Sequence, residues 1–218
     1  MEHARRMAAF ERADLYVVIT ESFCAGRSAL EVLAQVLEAG VRLVQMREKE
    51  MSDRNLYGRA MEFRRLTAAA GALFIVDDRV DIALAAGADG VHVGQDDLPV
   101  SLARRLAPEL IIGASTHCLE EALAAQEAGA SYVNLGPIFT TQTKPTTAPL
   151  GPEIIAGIVP RLRIPWTTMG GIKSSNIDQV VALGARHPAV MTAVTAAEDV
   201  AVAVRELGEK ILGEKIKE

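Results

Sequence analysis

The run Gln45-Met46-Arg47-Glu48-Lys49 puts an amide, a guanidinium and an ammonium at alternate positions. Alternate side chains at a strand end face the same side, so the three would point together. An amide and two cations on one side suit the oxygens of phosphate groups. The competing reading is a solvated charge run in which Glu48 and Glu50 partner the bases. A second stretch, Gly136-Pro137-Ile138-Phe139-Thr140-Thr141-Gln142-Thr143-Lys144-Pro145, follows the apolar run Tyr132-Val133-Asn134-Leu135 and continues, rich in Thr and Pro, to Gly151. With few bulky apolar groups it is expected to lie outside the core. Loops of this length are usually functional or disordered. Thr141 and Thr143 offer hydroxyl donors and Lys144 a point charge, again matched to phosphate oxygens; a mobile surface loop is the plain alternative.

Acids follow the third and fourth apolar runs. Asp78 and Asp97 each lie just past one. Two carboxylates beside a phosphate suit Mg²⁺, which takes one or two protein carboxylates and completes its shell with water and substrate oxygens. Either acid could instead cap a helix, and Asp78 could pair with Arg79. Asp96 reads as a cap or as exposed. Asp77 is open between a third acid at the metal and a hydrogen-bonding support. Ser115 and His117 follow the fifth run, although His117 could simply open the next helix. Gly170-Gly171 precede an expected helix start, where free backbone N–H groups bind anions; a tight turn explains them equally. Met191-Thr192 is the corresponding position of the eighth run. His92, inside a strand, reads as a structural histidine, while His3 and His187 carry no argument. Trp166 and the methionines read as core. No nucleophile–base pair is evident, so positioning and charge stabilisation would carry any catalysis.

These groups are scattered along the chain, and the elements between them must bring them together. Apolar runs at Leu15–Thr20, Val41–Met46, Leu73–Val76, Gly90–Val93, Leu110–Ala114, Ser131–Leu135, Ile164–Met169 and Ala189–Met191 read as eight strands. Helical patterns alternate with them: Leu30–Ala39 closed by Gly40, a helix capped by Ser52 or Asp53 and running to Ala70, a short one ending near Gly87, and one over about residues 100–107. Further helices span Leu119–Ala128, start at Pro152, run from near Ser174 to Gly184, and start near Asp199. Residues 1–13 predict a short leading helix. Strands alternating with helices imply right-handed crossovers and a parallel sheet, and eight such units in 218 residues fit one compact α/β domain, a (β/α)8 TIM barrel. An open doubly wound sheet lacks support, because no Gly-rich fingerprint follows the first strand. In a barrel the loops after the strands share one face, and loops seven and eight often hold a monophosphate.

Composition narrows the function. The chain carries 28 acids against 23 bases, a net charge of −5, which argues against a nonspecific nucleic-acid binder. No run of about 18 apolar residues predicts a membrane span, and no signal-peptide pattern opens the sequence; the cytoplasm is the expected compartment. Cys24 and Cys118 are far apart, match no metal spacing, and read as reduced structural thiols.

The sequence resembles the thiamine phosphate synthase family. The resemblance rests on Gln45-Met46-Arg47-Glu48-Lys49, Phe74-Ile75-Val76-Asp77-Asp78, Asp89-Gly90-Val91-His92-Val93-Gly94-Gln95-Asp96-Asp97, Ile112-Gly113-Ala114-Ser115-Thr116-His117, Leu135-Gly136-Pro137-Ile138-Phe139-Thr140-Thr141-Gln142-Thr143-Lys144 and Met169-Gly170-Gly171-Ile172. It implies joining of 4-amino-2-methyl-5-hydroxymethylpyrimidine diphosphate to a thiazole phosphate with loss of pyrophosphate, by a dissociative route through a pyrimidine-methyl cation. It further implies that Gln45, Arg47, Lys49 and Lys144 hold the diphosphate and that Asp78 and Asp97 hold Mg²⁺. Ser115 would then meet the leaving group or the pyrimidine, and Thr141, Thr143, Gly171, Met191 and Thr192 would take the thiazole phosphate. Two departures stand out: Asp77 occupies a position that is usually Asn and contacts the pyrimidine diphosphate, and Gly184-Ala185-Arg186-His187-Pro188-Ala189 replaces the usual Gly-Ala-Asp-Gly run.

Two rivals share the barrel. A thiazole tautomerase-like isomerase would not need the diphosphate cradle. A non-catalytic binder of thiamine-pathway phosphates would keep the contacts without turnover. Small molecules are the implied partners, with a homo-oligomer left open.

Overall fold

The computed structural model describes residues 1–143 and 147–215, the side chains of the last two excepted. In chain order the elements are α1 (Glu2–Arg12), β1 (Tyr16–Ile19), α2 (Ala29–Glu38), β2 (Leu43–Met46), α3 (Asp53–Ala69), β3 (Leu73–Asp77), α4 (Val80–Ala85), β4 (Gly90–Val93), α5 (Val100–Leu106), β5 (Ile111–Thr116), α6 (Leu119–Glu127), β6 (Tyr132–Leu135), α7 (Ile154–Ile158), β7 (Trp166–Thr168), α8 (Ile177–Val181), β8 (Ala189–Val190), α9 (Thr192–Thr195) and α10 (Val200–Lys215). All ladders are parallel, in the order β7-β6-β5-β4-β3-β2-β1-β8. The ring closes where Thr168 of β7 meets Pro188, just ahead of β8, in a single parallel bridge. This is the expected (β/α)8 barrel. None of its described helices is long and apolar enough to cross a membrane.

Strand alternation sorts the core into two sets. Val17, Val44, Phe74, Val76, Val91, Ile112 and Val133 face outward and pack against the helices. Tyr16, Val18, Leu43, Leu73, Ile75, Ile111, Tyr132 and Ala189 face the barrel axis. Helix α2 illustrates the local logic: Ser28 accepts from the Glu31 N–H while the Glu31 carboxylate takes the Ser28 N–H, a full capping box. Its buried residues Ala29, Val32, Leu33, Val36 and Leu37 recur at helical spacing.

The leading helix α1 has a defined place. Its buried side chain, Phe10, joins the inner set beside residues that begin β1, β2, β3, β5, β6 and β8, so it stoppers the N-terminal end of the barrel. The ring stacks on Tyr132 at 4.8 Å and packs against His187 at 4.9 Å, and His187 Nδ1 lies 2.6 Å from the Ala13 carbonyl.

Two expectations need correction, and one element was not expected. The segment after β6 is not all outside the core: Gly136, Pro137 and Ile138 are buried. The backbone continues beside β7, with Ile138 N–H donating to Met169 O and Phe139 N–H to Gly170 O, and the return leg bonds back through Leu150 N–H to Pro137 O. Satisfied main-chain groups let this segment go inside despite its composition. The eighth helix begins at Ile177 rather than Ser174, because Lys173–Asn176 forms a turn in which Asn176 Oδ1 accepts the Lys173 N–H. A one-turn helix, α9, follows β8 directly, with no periodic signal long enough to announce it.

Phe10→Ala is expected to lower unfolding free energy by ~3–5 kcal/mol, the range for emptying a buried aromatic site. Urea denaturation measures it; a loss below ~1 kcal/mol would mean that α1 does not stopper the barrel.

Candidate active site

Parallel strands end on one rim, and the polar residues named from the sequence gather there. A cavity of about 90 Å³ is lined by side chains that include Gln45, Arg47, Lys49, Asp77, Asp97 and Ser115. Gln45 is buried, because the strand brings it one layer below Arg47 on the same inward face. Ser115, near the end of β5, hydrogen-bonds through Oγ to His92 Nε2 at 2.8 Å. His92 is almost wholly buried yet also lines the cavity.

The charges interlock. Lys49 Nζ lies 2.6 Å from Asp77 Oδ2 and 2.5 Å from Asp78 Oδ2, and Arg47 Nε is 3.9 Å from the same Asp77 oxygen. Burial raises the Asp77 carboxyl, against the pull of Lys49 and Arg47. Burial likewise raises Asp78, partly offset by Lys49. For Lys49, burial opposes the charge, but the two aspartates outweigh it and hold the ammonium above its ordinary value. Asp97 Oδ2 accepts the Gly94 N–H at 2.7 Å. Three carboxylates (Asp77, Asp78, Asp97) against two cations (Arg47, Lys49) leave the cluster one negative charge in excess.

Asp78 is held in an unusual backbone conformation. Its φ is +57°, a left-handed state that Asp tolerates better than most residues. Its N–H donates to the His92 carbonyl at 2.7 Å, so the sheet dictates where the carboxylate stands. The possible Asp78–Arg79 pair does not form. Arg79 turns away to Asp53 at 2.6 Å and Asp81 at 2.7 Å, which leaves Asp78 to Lys49.

Among the described residues, no group of three or more His, Cys, Asp or Glu side chains is placed to hold a metal ion. A divalent cation at a phosphate needs fewer, since Mg²⁺ keeps waters and substrate oxygens in its shell. Asp78 and Asp97 meet that requirement in kind. Lys49 already sits against Asp78, so that carboxylate accepts positive charge where it stands.

The other described candidate residues named from the sequence do not line this cavity. Thr141 and Thr143 hydrogen-bond each other through Oγ1 at 2.9 Å, and neither lines the cavity. Lys144 falls outside the described residues. Gly170 and Gly171 have φ of +97° and +65°, and a Cβ on either would come within 2.5 Å of the segment after β6. Both conformation and space therefore require glycine there. With α8 starting six residues on, the pair is not a helix N-terminus. Met191 is half-buried against the inner set, and Thr192, exposed, opens α9. His117 lies just ahead of α6, where the Glu121 carboxylate accepts its N–H at 2.8 Å and lies 2.9 Å from its Nδ1, and it does not line the cavity. Asp96 is exposed. Cys24 is buried, its thiol donates to the Thr20 carbonyl at 3.3 Å and is pushed up to about 11 by burial, and neither it nor Cys118 forms a disulfide.

Sequence reasoning passed over Tyr16 and Tyr132, read only as strand residues. Both are fully buried on the inward face beneath the cavity, and both are hydrogen-bonded through their hydroxyls. The available signal was positional: a phenol on the axis-facing side of a strand needs a polar partner inside the barrel.

A family model described as thiamine monophosphate synthase matches residues 15–194. The thiamine-phosphate synthase of Pelotomaculum thermopropionicum is 42% identical over 209 residues, covering 95% of this chain and 96% of that one. That of Chloroflexus aurantiacus is 47% identical over 194 residues, covering 88% and 90%. The solved structure of a thiamine phosphate pyrophosphorylase from Pyrococcus furiosus superposes with a TM-score of 0.86 at 39% identity, over 94% of this chain and 98% of that one. A 3-hexulose-6-phosphate synthase structure, at 21% identity and a TM-score of 0.65, shares the fold alone. With the match spanning nearly all of the barrel in both sequence and backbone, this chain belongs to the thiamine monophosphate synthase family.

Proposed function

We propose that the chain is a single-domain thiamine-phosphate synthase that transfers the pyrimidinylmethyl group of hydroxymethylpyrimidine diphosphate to the nitrogen of a thiazole phosphate and releases pyrophosphate. The observation that carries this reading is the convergence of Gln45, Arg47, Lys49, Asp77, Asp97 and Ser115 on one cavity at the rim of the strands. Gln45, Arg47, Lys49 and Lys144 hold the diphosphate, and their charge stabilises it as the C–O bond breaks. Asp78 and Asp97 are the residues that would hold Mg²⁺, whose charge when bound offsets that of the departing diphosphate. The electrostatics favour such a requirement. A cluster already one charge negative repels a diphosphate until further positive charge arrives. Ser115 meets the leaving group or the pyrimidine. Thr141, Thr143, Gly171, Met191 and Thr192 take the thiazole phosphate. The dissociative route asks for no base at the reacting carbon, in keeping with a cavity built from charge partners. We place the enzyme in the cytoplasm, acting on small molecules rather than on nucleic acid or a membrane, with association into homo-oligomers compatible with this role.

Purified protein given both substrates and Mg²⁺ is expected to yield thiamine phosphate and pyrophosphate in equal amounts, and EDTA is expected to stop the reaction. Isomerised thiazole without coupling would favour the tautomerase-like reading, and binding without any product the non-catalytic one.

Lys144→Ala is expected to lower kcat/KM more than tenfold, since a charge-assisted contact contributes roughly 1.5–3 kcal/mol. An unchanged value removes the residue from the cradle.

Asp77→Asn is expected to act in two ways. Burial raises the folded-state carboxyl above its ordinary value, so the native protein binds the proton more readily than the unfolded chain. Its ionisation therefore costs stability as pH rises through the window between the ordinary value and the raised one. The variant should melt higher than wild type near pH 7, with the gain fading as pH falls below that window. It should also free Lys49 from one of its two partners and lower KM for the pyrimidine diphosphate several-fold. A raised KM together with a higher Mg²⁺ demand would assign Asp77 to holding the metal.

A further inference from the structure

Beneath the cavity a chain of hydrogen bonds crosses the barrel interior. It starts at Gln45 on β2 and passes through Tyr16 on β1, Tyr132 on β6 and His92 on β4 to Ser115 on β5. The successive distances are 3.0 Å from Gln45 Nε2 to the Tyr16 hydroxyl, 3.0 Å between the two phenol oxygens, 2.9 Å from Tyr132 to His92 Nδ1, and 2.8 Å from His92 Nε2 to Ser115 Oγ. Both ends line the cavity. The three middle residues are 0–2% exposed.

The donor inventory gives the chain a direction. An amide nitrogen only donates, so the Tyr16 oxygen accepts from Gln45. Tyr16 then has one proton to offer, and offers it to Tyr132. Tyr132 spends its own proton on His92 Nδ1. The ring must therefore carry its hydrogen on Nε2 and donate it to Ser115 Oγ. Ser115, with its oxygen engaged as an acceptor, keeps its hydroxyl hydrogen for the cavity. With the Gln45 amide turned over, every bond would reverse, the ring would carry its proton on Nδ1, and the Ser115 hydrogen would point back into the protein.

We propose that Tyr16, Tyr132 and His92 are positioning residues, a one-way hydrogen-bonded relay that fixes Ser115 as a donor toward the anionic substrate. The proposal rests on the reading of Ser115 as a substrate contact. Two further observations support it. Gly113 lies where the relay passes, and a Cβ there would stand 2.3 Å from the Tyr132 hydroxyl and 2.6 Å from His92 Nδ1. The absent side chain is what admits the Tyr132–His92 bond. The setting is also apolar: Val18, Ile75 and Ile111 share the interior with the phenols. Burial raises both phenols' pKa values, so they stay neutral donors. Polar groups buried in such surroundings are costly unless fully paired, and a chain that pairs them end to end while terminating at the cavity serves the cavity as well as the core.

The test has two parts. Nitrogen-15 NMR of histidine-labelled, ligand-free protein, with the His92 signal identified by its loss in His92→Asn, should show the Nε2–H tautomer. In Tyr132→Phe that preference should be lost. A proton on Nδ1, or a tautomer indifferent to Tyr132→Phe, overturns the relay. Kinetically, Tyr132→Phe should lower kcat about tenfold, the factor of one ordinary hydrogen bond, with KM values within about threefold of wild type. It should cause no further loss once Ser115→Ala is present. Equal losses in both backgrounds would show a structural hydroxyl and overturn the proposal. If wild-type protein forms no thiamine phosphate, the functional reading fails, while the tautomer result still decides the relay. Should Tyr132→Phe not fold, Tyr16→Phe breaks the same chain one bond earlier and carries the same readouts.

Discussion

Every strand of this barrel runs parallel to its neighbours, so all eight C-terminal ends open on one rim. That constraint converts a string of unremarkable dipeptides into a site. Arg47 and Asp97 are fifty residues apart in sequence and share a cavity because β2 and β4 are both ordered by β3 between them. The ladders fix the register, and the register fixes which side chain of each strand faces inward. Helices contribute indirectly, by covering the outer faces of strands too apolar to meet water.

Charge is the second organising feature. The rim gathers more acid than base, and Lys49 holds two of the three carboxylates in check. On the proposed function, an incoming diphosphate would compete with the aspartates for that lysine, a divalent cation would compete with the lysine for the aspartates, and binding of the two together would resolve both competitions. Asp77 sharpens this balance, because its carboxylate is less exposed than that of Asp78.

The interior is less oily than strand composition suggests. Gln45, Tyr16, Tyr132 and His92 put polar atoms on the barrel axis, each within reach of the next. Phe10 closes the opposite end of the barrel and stacks on Tyr132. The stopper at the base and the polar chain under the cavity therefore share a residue, so packing at the N-terminal end and geometry at the C-terminal end are mechanically linked.

Much of this was legible in the chain. Alternating short apolar runs and helical periods determined the barrel, because only parallel strands with outer helices bury both kinds of face. The spacing Gln45, Arg47, Lys49 determined a shared direction, because strand side chains repeat every two residues. Tertiary structure alone decided the partners. Arg79 follows Asp78 directly yet binds Asp53 and Asp81 instead, since the left-handed turn at Asp78 sends the two side chains apart. Ile138 is core because its backbone found partners on β7, which no local composition reports. The tyrosines, twin strand residues in the sequence, became links in a polar chain only when β1 and β6 faced each other across the axis. Periodicity is a local property and survives in one dimension; which donor meets which acceptor depends on distances between strands, and those exist only after the ring has closed.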